Sequence, residues 1–539
     1  MPNRIWVDVE DLFQYAIFNT RPSGIQRIEF ELCRSLALMP EARDRVGFVR
    51  HAAAQNSFYA IPFAEVDALH ARLTGAPPAV AGSPAAEQAR PSDSAGEHSA
   101  RPAARRSAAQ QPRGLGVAAR RLAYRMPLDL RTPLVTLFKA QRDSLRAAGS
   151  LTAAAAGRIS MRRTNAAPAS GGAYGSGTAT DGLTVAAFET TAEAGDVLLV
   201  LGSPWFHPFY VDLVARTRDR WGLRVALLIY DIIPLLRPEW CDENLVARFG
   251  MWARGMLPLA DTLLTISQAS AHDIVRIADR LHLPLRAQPS PIPVGTGFSR
   301  PVGRPGDAIT ANAPPPVRTD RLPPPGSYVL LVSTIEARKN HVLMFRVWRR
   351  LLDELPADRV PTLVFAGKVG WLVDDLMQQL RNAHCLDGKI LLIENPQDGE
   401  LERLYEGCLF TVFPSFYEGW GLPVTESLSF GRPCIISNAS ALPEAGGTLA
   451  RYFDPENGGE AFRVIRRAIE DPDETRAWGA RVAAEFRPVS WDESARAMLR
   501  LIDHARPRVK LLDAGTEAGP PGAAVHDETI VRRSASHLA

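Results

Sequence analysis

Cysteine is scarce in this chain: five in 539 residues, at Cys33, Cys241, Cys385, Cys408 and Cys434, with no CxxC pair and no disulfide-like spacing. Such thiols read as reduced and mostly buried, which points to the cytoplasm. Long apolar runs are missing too. The longest, over 197–201 and 225–236, are short, and the second carries Asp231, so no transmembrane helix is expected. The first residues run straight into the charged RIWVDVED, without the apolar core of a secretory signal. Neither sign of charge is in excess: 62 Lys and Arg face 59 Asp and Glu, a formal +3 that implies no nucleic-acid partner. HExxH, GxSxG, Walker loops and metal-spaced His/Cys clusters are absent, so no metal site is expected; the 11 histidines are scattered, and their number alone says nothing about one.

What is present is alternation, interrupted three times. At 539 residues the chain is too long for one ordinary core. Residues 75–182 are rich in Ala, Pro, Ser, Gly and Arg and read as a low-complexity insert. Residues 301–326 read as a Pro-rich linker, and 506–539 as a disordered tail. Between them the apolar patterning expects strands over 4–9, 197–201, 224–230, 262–266, 328–333, 362–366 and 390–393. Helices are expected from residue 25 and over 210–221, 239–257 and 270–281. Another follows residue 341, with Leu343, Val347, Leu351 and Leu355 on its buried stripe. A β-α-β-α rhythm of this kind argues for parallel sheets.

The insert carries Arg101, Arg105, Arg106, Arg113, Arg120, Arg121, Arg125 and Arg131 against almost no acid, then Leu134, Leu137, Phe138 and Leu145 at helical spacing. Two readings stand: peripheral contact with an anionic membrane, or a solvated basic insert with no partner.

The most constraining stretch is PSFYEGWGLPVTESLSFGRPCIISNASALPE, over 414–444. An apolar run at 409–413 leads into a glycine-rich turn and then a helix starting near Pro423, where proline is tolerated because its missing N–H has no helical partner. With Gly419 and Gly421 allowing close approach, free N–H groups at that start suit an anion. Glu418 and Glu426 would repel the anion but accept hydrogen bonds from hydroxyls, as an acid gripping a ribose does. Taken singly, Glu426 also fits a complement to the helix dipole and Glu418 a solvated loop residue. Arg338 and Lys339 lie in a second strand-to-helix loop, where cations can meet a phosphate. In the first half, Gly24 follows a turn and opens a helix, with Gln26 and Arg27 weaker candidates, and Tyr230, Asp231 and Ser267 fall at carboxyl ends of expected strands.

EGWGLPVTE, GRPCIIS and ALPEAGG resemble the paired-glutamate region of the retaining glycosyltransferases of group one, and STIEARKNH resembles that family's cation motif. RPSGIQRIEFEL, AGKVGW, ENPQDGELERLYEGC and PVSWDESARAMLRLI are family-like as well. The resemblance implies an α/β protein of two Rossmann-like domains facing a cleft (GT-B). The first is built from 1–74 and 183–300 on the acceptor side; the second, 327–505, binds the nucleotide sugar. A closing helix near 489–502 would cross back to the first domain. Arg338 and Lys339 would neutralise the donor diphosphate with backbone donors around Gly421 and Leu422, and Gly24, Gly419 and Pro423 would border the bound donor. Glu418 would hold donor-sugar hydroxyls near the reacting carbon, Glu426 the ribose, and the end of the 390–393 strand, at Glu394 and Asn395, the base. The family often has a histidine where Tyr230 stands, so Asp231 becomes the candidate there.

The implied substrate is a nucleotide-diphosphate sugar, with no other cofactor and no metal. The implied acceptor is a glycan or lipid-linked glycan, and the transferred group a mannose-like hexose or deoxyhexose, as in bacterial surface polysaccharide or lipopolysaccharide synthesis. Two alternatives from other classes are a sugar-nucleotide epimerase or hydrolase on the same scaffold and a catalytically idle binding module.

Overall fold

The structure, a computed structural model, describes residues 3–19, 21–51, 57–74, 188–297 and 320–505. The insert, most of the Pro-rich stretch and the tail lie outside the described residues.

Two sheets carry the fold, one mostly and one wholly parallel. The first has the order β3-β2-β1-β4-β5-β6-β7. Its strands are β1 Ile5–Asp8, β2 Val46–His51, β3 Phe58–Ile61, β4 Val197–Val200, β5 Arg224–Ile229, β6 Thr262–Thr265 and β7 Ser290–Pro291. All pairs are parallel except β2 with β3. The second sheet has the order β10-β9-β8-β11-β12-β13 and is parallel throughout. Its strands are β8 Tyr328–Val332, β9 Thr362–Gly367, β10 Ile390–Glu394, β11 Thr411–Phe413, β12 Cys434–Ser437 and β13 Arg451–Phe453. Runs such as VLLV, RVALLI and YVLLV are apolar without alternation because helices cover both faces of such a sheet. Successive residues therefore enter different cores: Val197 and Leu199 join one cluster and Leu198 and Val200 another, and Val329 and Leu331 part from Tyr328 and Leu330 in the same way.

The order of strands fixes where a ligand can sit. In the second sheet the chain moves outward from β8 through β9 to β10, then returns to lay β11 on the other side of β8, so the loops after β8 and β11 diverge and leave a crevice at their carboxyl ends. Those two loops carry STIEARKNH and SFYEGWG. The first sheet reverses between β1 and β4 in the same manner, but there Asp11 fills the point: its Oδ2 accepts from Ser203 N and Oγ at 2.9 Å each, and a Cβ on Gly202 would lie 2.0 Å from its Oδ1.

Helix Trp491–His504 returns to the first sheet as the resemblance implies. Ala495, Met498, Leu499 and Ile502 pack in one core with Ile28, Leu32 and Leu36 of helix Gly24–Leu38, and Arg45 clasps Asp503 with two hydrogen bonds at 2.7 and 3.0 Å.

One helix begins later than patterning expects. Asp242 caps Glu243–Met256 by accepting from Asn244 N and Leu245 N, so the expected start at 239 is displaced by a short turn, Pro238–Trp240. His341, expected as a helix-start residue, opens helix His341–Glu354. It is buried against Phe365 and its pKa falls to about 3, because burial and then Lys339 disfavour the charged ring.

Candidate functional site

The two sheets' carboxyl ends border a cleft of about 2270 Å³, larger than the 300–1,000 Å³ or so that a single small ligand usually occupies. Arg338, Lys339, Asp231, Glu418, Gly419, Gly421, Leu422, Pro423, Glu426 and Gly24 all line it. The sequence candidates therefore do converge, although they span some four hundred positions.

Glu418 is the centre of the cluster. It is 7% exposed; its Oε2 accepts from Arg338 Nη1 at 2.8 Å and its Oε1 from Lys339 Nζ at 2.6 Å. Burial pushes its carboxyl up, but Arg338 and then Lys339 outweigh that and hold its pKa at about 2. A solvated loop carboxylate is thus excluded. The two cations are not equivalent. Arg338 spends its fork on Glu418, on the Tyr417 carbonyl and, through Nη2 at 2.7 Å, on Glu336, whereas Lys339 has Glu418 as its hydrogen-bond partner and keeps two ammonium hydrogens for another acceptor. Arg338 acts first as the holder of Glu418; Lys339 is the cation with capacity for a phosphate.

Glu426 lies in the second turn of helix Leu422–Ser429, whose first turn carries no acid, so it does not simply complement the dipole there. It is 4% exposed, and its oxygens accept from Arg27 Nη1 at 2.7 Å and from the Tyr405 hydroxyl at 2.8 Å. Arg27, the weaker candidate beside Gly24, belongs to helix Gly24–Leu38 of the first sheet. The ion pair therefore crosses the cleft.

Asp231 lies just before the short helix Ile233–Leu236 and accepts from Ile233 N at 3.0 Å, and burial raises its pKa against the opposing pull of Arg338. Tyr230 donates its hydroxyl to the Leu201 carbonyl at 2.8 Å and is 5% exposed, its ring belonging to the core of the first sheet. It does not present a titratable group to the cleft as a histidine there would.

Further contacts join the two halves that sequence reasoning did not foresee. Glu444 accepts from Gln268 N and Ala269 N at 2.8 Å each, capping helix Gln268–Arg280 from across the cleft; Tyr417 donates to Asp273 of that helix; and Arg21 donates to the Asn395 carbonyl at 2.7 Å. Gln268 and Glu444 are 176 positions apart, a separation that leaves no local signal.

The glycines separate by their surroundings. A Cβ on Gly419 would lie 2.5 Å from the Tyr230 carbonyl, and Gly421, at φ 110°, caps the helix in a conformation side chains resist. A Cβ on Gly24 would meet only Leu422 Cδ1, at an ordinary 3.8 Å. Gly419→Ala is therefore expected to lower stability by about 1–3 kcal/mol, because backbone must move to admit the methyl, and Gly24→Ala to leave it within about 0.5 kcal/mol. Thermal unfolding of the two variants tests the contrast; equal midpoints would contradict it.

Residues 319–484 match the family model for glycosyl transferases group 1. The chain is 29% identical over 301 residues to the serotype-specific mannosyltransferase WbdA of Escherichia coli, a match covering 54% of this chain and 35% of that one. It is 28% identical over 274 residues to the O-antigen chain mannosyltransferase B of the same organism, covering 50% and 67%. The chain thus spans about a third of the length of WbdA. Among solved structures it is similar to TarM, with a TM-score of 0.42 at 12% identity over 58% of this chain and 56% of that one.

Proposed function

We propose, from the match of residues 319–484 to the glycosyl transferases group 1 model, that the chain is a retaining glycosyltransferase moving a hexose or deoxyhexose, mannose-like by preference, from a nucleoside diphosphate to a glycan. The observation that carries the reading is the Lys339–Glu418–Arg338 cluster at the strand-order reversal of the second sheet, where a phosphorylated ligand fits and a hydroxyl-accepting carboxylate lies beside the cation. The names of the similar mannosyltransferases favour mannose among hexoses.

As the bond to the sugar breaks, negative charge builds on the departing diphosphate. Lys339 and the N–H groups at the start of helix Leu422–Ser429 would stabilise that charge from fixed positions. This supply of positive charge from the protein is the basis for proposing that no divalent metal is required. Glu418 would accept hydroxyls of the donor sugar, and Glu426 those of the ribose. A carboxylate with both oxygens engaged by cations and a pKa of about 2 is a weak nucleophile. Retention is therefore assigned to a front-face displacement, in which the departing phosphate takes the acceptor's proton, and not to a covalent intermediate on Glu418.

The acceptor is read as a glycan, free or lipid-linked, presented from the side of the first sheet. Among the described residues no helix is long and apolar enough to cross a membrane. Contact with an anionic membrane through the basic stretch over 101–131 belongs to the same proposal, and co-sedimentation with anionic but not neutral vesicles tests it.

The direct test is transfer from a nucleoside diphosphate mannose to an α-linked mannotriose, with the product anomer read by NMR and the rate measured with and without EDTA. An α product at an EDTA-insensitive rate is expected. A β product overturns retention, and loss of rate in EDTA overturns metal independence.

A further inference from the structure

Trp371 is 43% exposed at the lip of the cleft, yet little about it is loose. Its loop is zipped onto the loop that carries Arg338 and Lys339: Ile335 N donates to the Lys368 carbonyl and Gly370 N to the Ile335 carbonyl, both at 2.8 Å. A Cβ on Gly370 would come 2.9 Å from Thr334 Cγ2 and 3.1 Å from the Ile335 carbonyl, so the two loops touch with no room between them. Beyond the ring, Leu372 turns the chain at φ 57° and Val373 is buried, which anchors the other side.

The ring itself is aimed. Its Nε1 donates to the Trp240 carbonyl at 2.9 Å, reaching a residue that follows β5 of the opposite sheet. Trp240 is in turn held by Phe416, stacked at 5.5 Å and 13°, and by the Arg237 guanidinium 3.8 Å from its ring centroid. Trp240 is thereby occupied, whereas among the described residues no ring or cation packs on Trp371. Single exposed apolar side chains are common and call for no explanation. An indole fixed in orientation from both halves of a cleft, with its surface left open, is a different object, because such rigidity contributes nothing to burial and suits recognition of a flat, apolar surface.

A hexose has such a surface. The C–H bonds on one face of the ring are apolar and weakly positive, and they meet the negative face of an aromatic ring favourably while the hydroxyls stay free for polar partners. The cluster that holds Trp371 includes Phe416, two residues before Glu418, whereas the ribose end of the cleft belongs to Glu426, Arg27 and Asp398. A ring stacked on Trp371 therefore lies at the sugar end.

We propose that Trp371 is the stacking platform for the terminal hexose of the acceptor glycan, a positioning residue that sets acceptor affinity. The inference rests on the glycosyltransferase reading of the cleft. Its test is a steady-state comparison of wild type, Trp371→Phe and Trp371→Ala, with nucleoside diphosphate mannose as donor and α-linked mannotriose as acceptor. Trp371→Ala is expected to raise the acceptor KM by about tenfold with the donor KM within about twofold of wild type, and Trp371→Phe, which keeps an aromatic face, to recover most of the loss. Unfolding midpoints of the two variants should agree with each other and lie close to that of wild type, since both lose the same single solvent-exposed hydrogen bond to the Trp240 carbonyl. An unchanged acceptor KM in Trp371→Ala, a rise confined to the donor KM, or no difference between Phe and Ala would overturn the proposal. A wild type that binds no nucleotide sugar would instead bring down the reading of the cleft, and the inference with it. A wild type that hydrolyses the donor but never glycosylates mannotriose would overturn the acceptor assignment alone.

Discussion

Glu418→Gln is expected to lower the transfer rate by about 10²- to 10³-fold while nucleoside diphosphate affinity is kept or increased. Glutamine preserves the shape of the side chain and removes its charge. Lys339, which in the native cluster shares its charge with the carboxylate at 2.6 Å, is then left to the phosphate alone, so ground-state binding does not suffer. What is lost is the acceptor for donor-sugar hydroxyls beside the reacting carbon. A fall in rate with a parallel fall in nucleotide affinity would contradict this division of labour and make Glu418 a strut for the loop.

The same variant has a signature in stability against pH. The folded pKa of Glu418, about 2, lies below its ordinary 4.5, so the ionised form is the one the fold favours. Its contribution is fully present above about pH 4.5 and is lost as pH falls through about 2; for a shift of this size it is on the order of 3 kcal/mol. The gap in stability between wild type and Glu418→Gln should therefore be widest near neutrality and narrow on acidification toward pH 2. A gap independent of pH would contradict the assignment.

Glu426→Ala is expected to weaken nucleoside diphosphate binding by about 10- to 100-fold, the loss that follows from removing a charged acceptor of ribose hydroxyls. The geometry complicates the variant, because Arg27 and Tyr405 both rest on this carboxylate and truncation leaves a guanidinium without its partner across the cleft. Arg27→Met separates the two effects. It removes the crossing pair while leaving Glu426 on its helix, and should lower the unfolding midpoint with a smaller effect on nucleotide affinity. Calorimetric titration with GDP and UDP reads both variants. Full affinity in Glu426→Ala would assign the residue to joining the halves and not to binding.

These residues also mark how far the sequence could be read. Parallel sheets were legible because strands covered on both faces are continuously apolar, and the strand endings of β5 and β8 fell within a residue of expectation. The glycine-rich turn was legible for a local reason: proline near the start of a helix and glycine before it are tied to backbone geometry that acts over a few positions. Pairings across the cleft were not. Arg27 meets Glu426 at a separation of 399 positions and Trp371 meets Trp240 at 131, distances over which composition and periodicity carry no information. The assignment of Arg338 and Lys339 as equal partners for a diphosphate could not anticipate that Glu418 and Glu336 occupy the guanidinium. Tyr230 could be flagged as a departure from the resembling family, but its direction, into the core and onto the Leu201 carbonyl, depends on packing. The basic insert, whose role composition alone left open, lies outside the described residues.

The central claim is that this cleft binds a nucleotide sugar and breaks its bond to the diphosphate. A panel of GDP- and UDP-linked hexoses and deoxyhexoses, incubated with the full chain and followed by mass spectrometry for bound donor and slow release of nucleoside diphosphate, tests it most directly. The expected result is saturable binding of one donor, a mannose-like one, with nucleoside diphosphate released by wild type and lost in Glu426→Ala but not on replacing an exposed glutamate away from the cleft, such as Glu485. Failure of every donor to bind the wild-type protein would contradict the account.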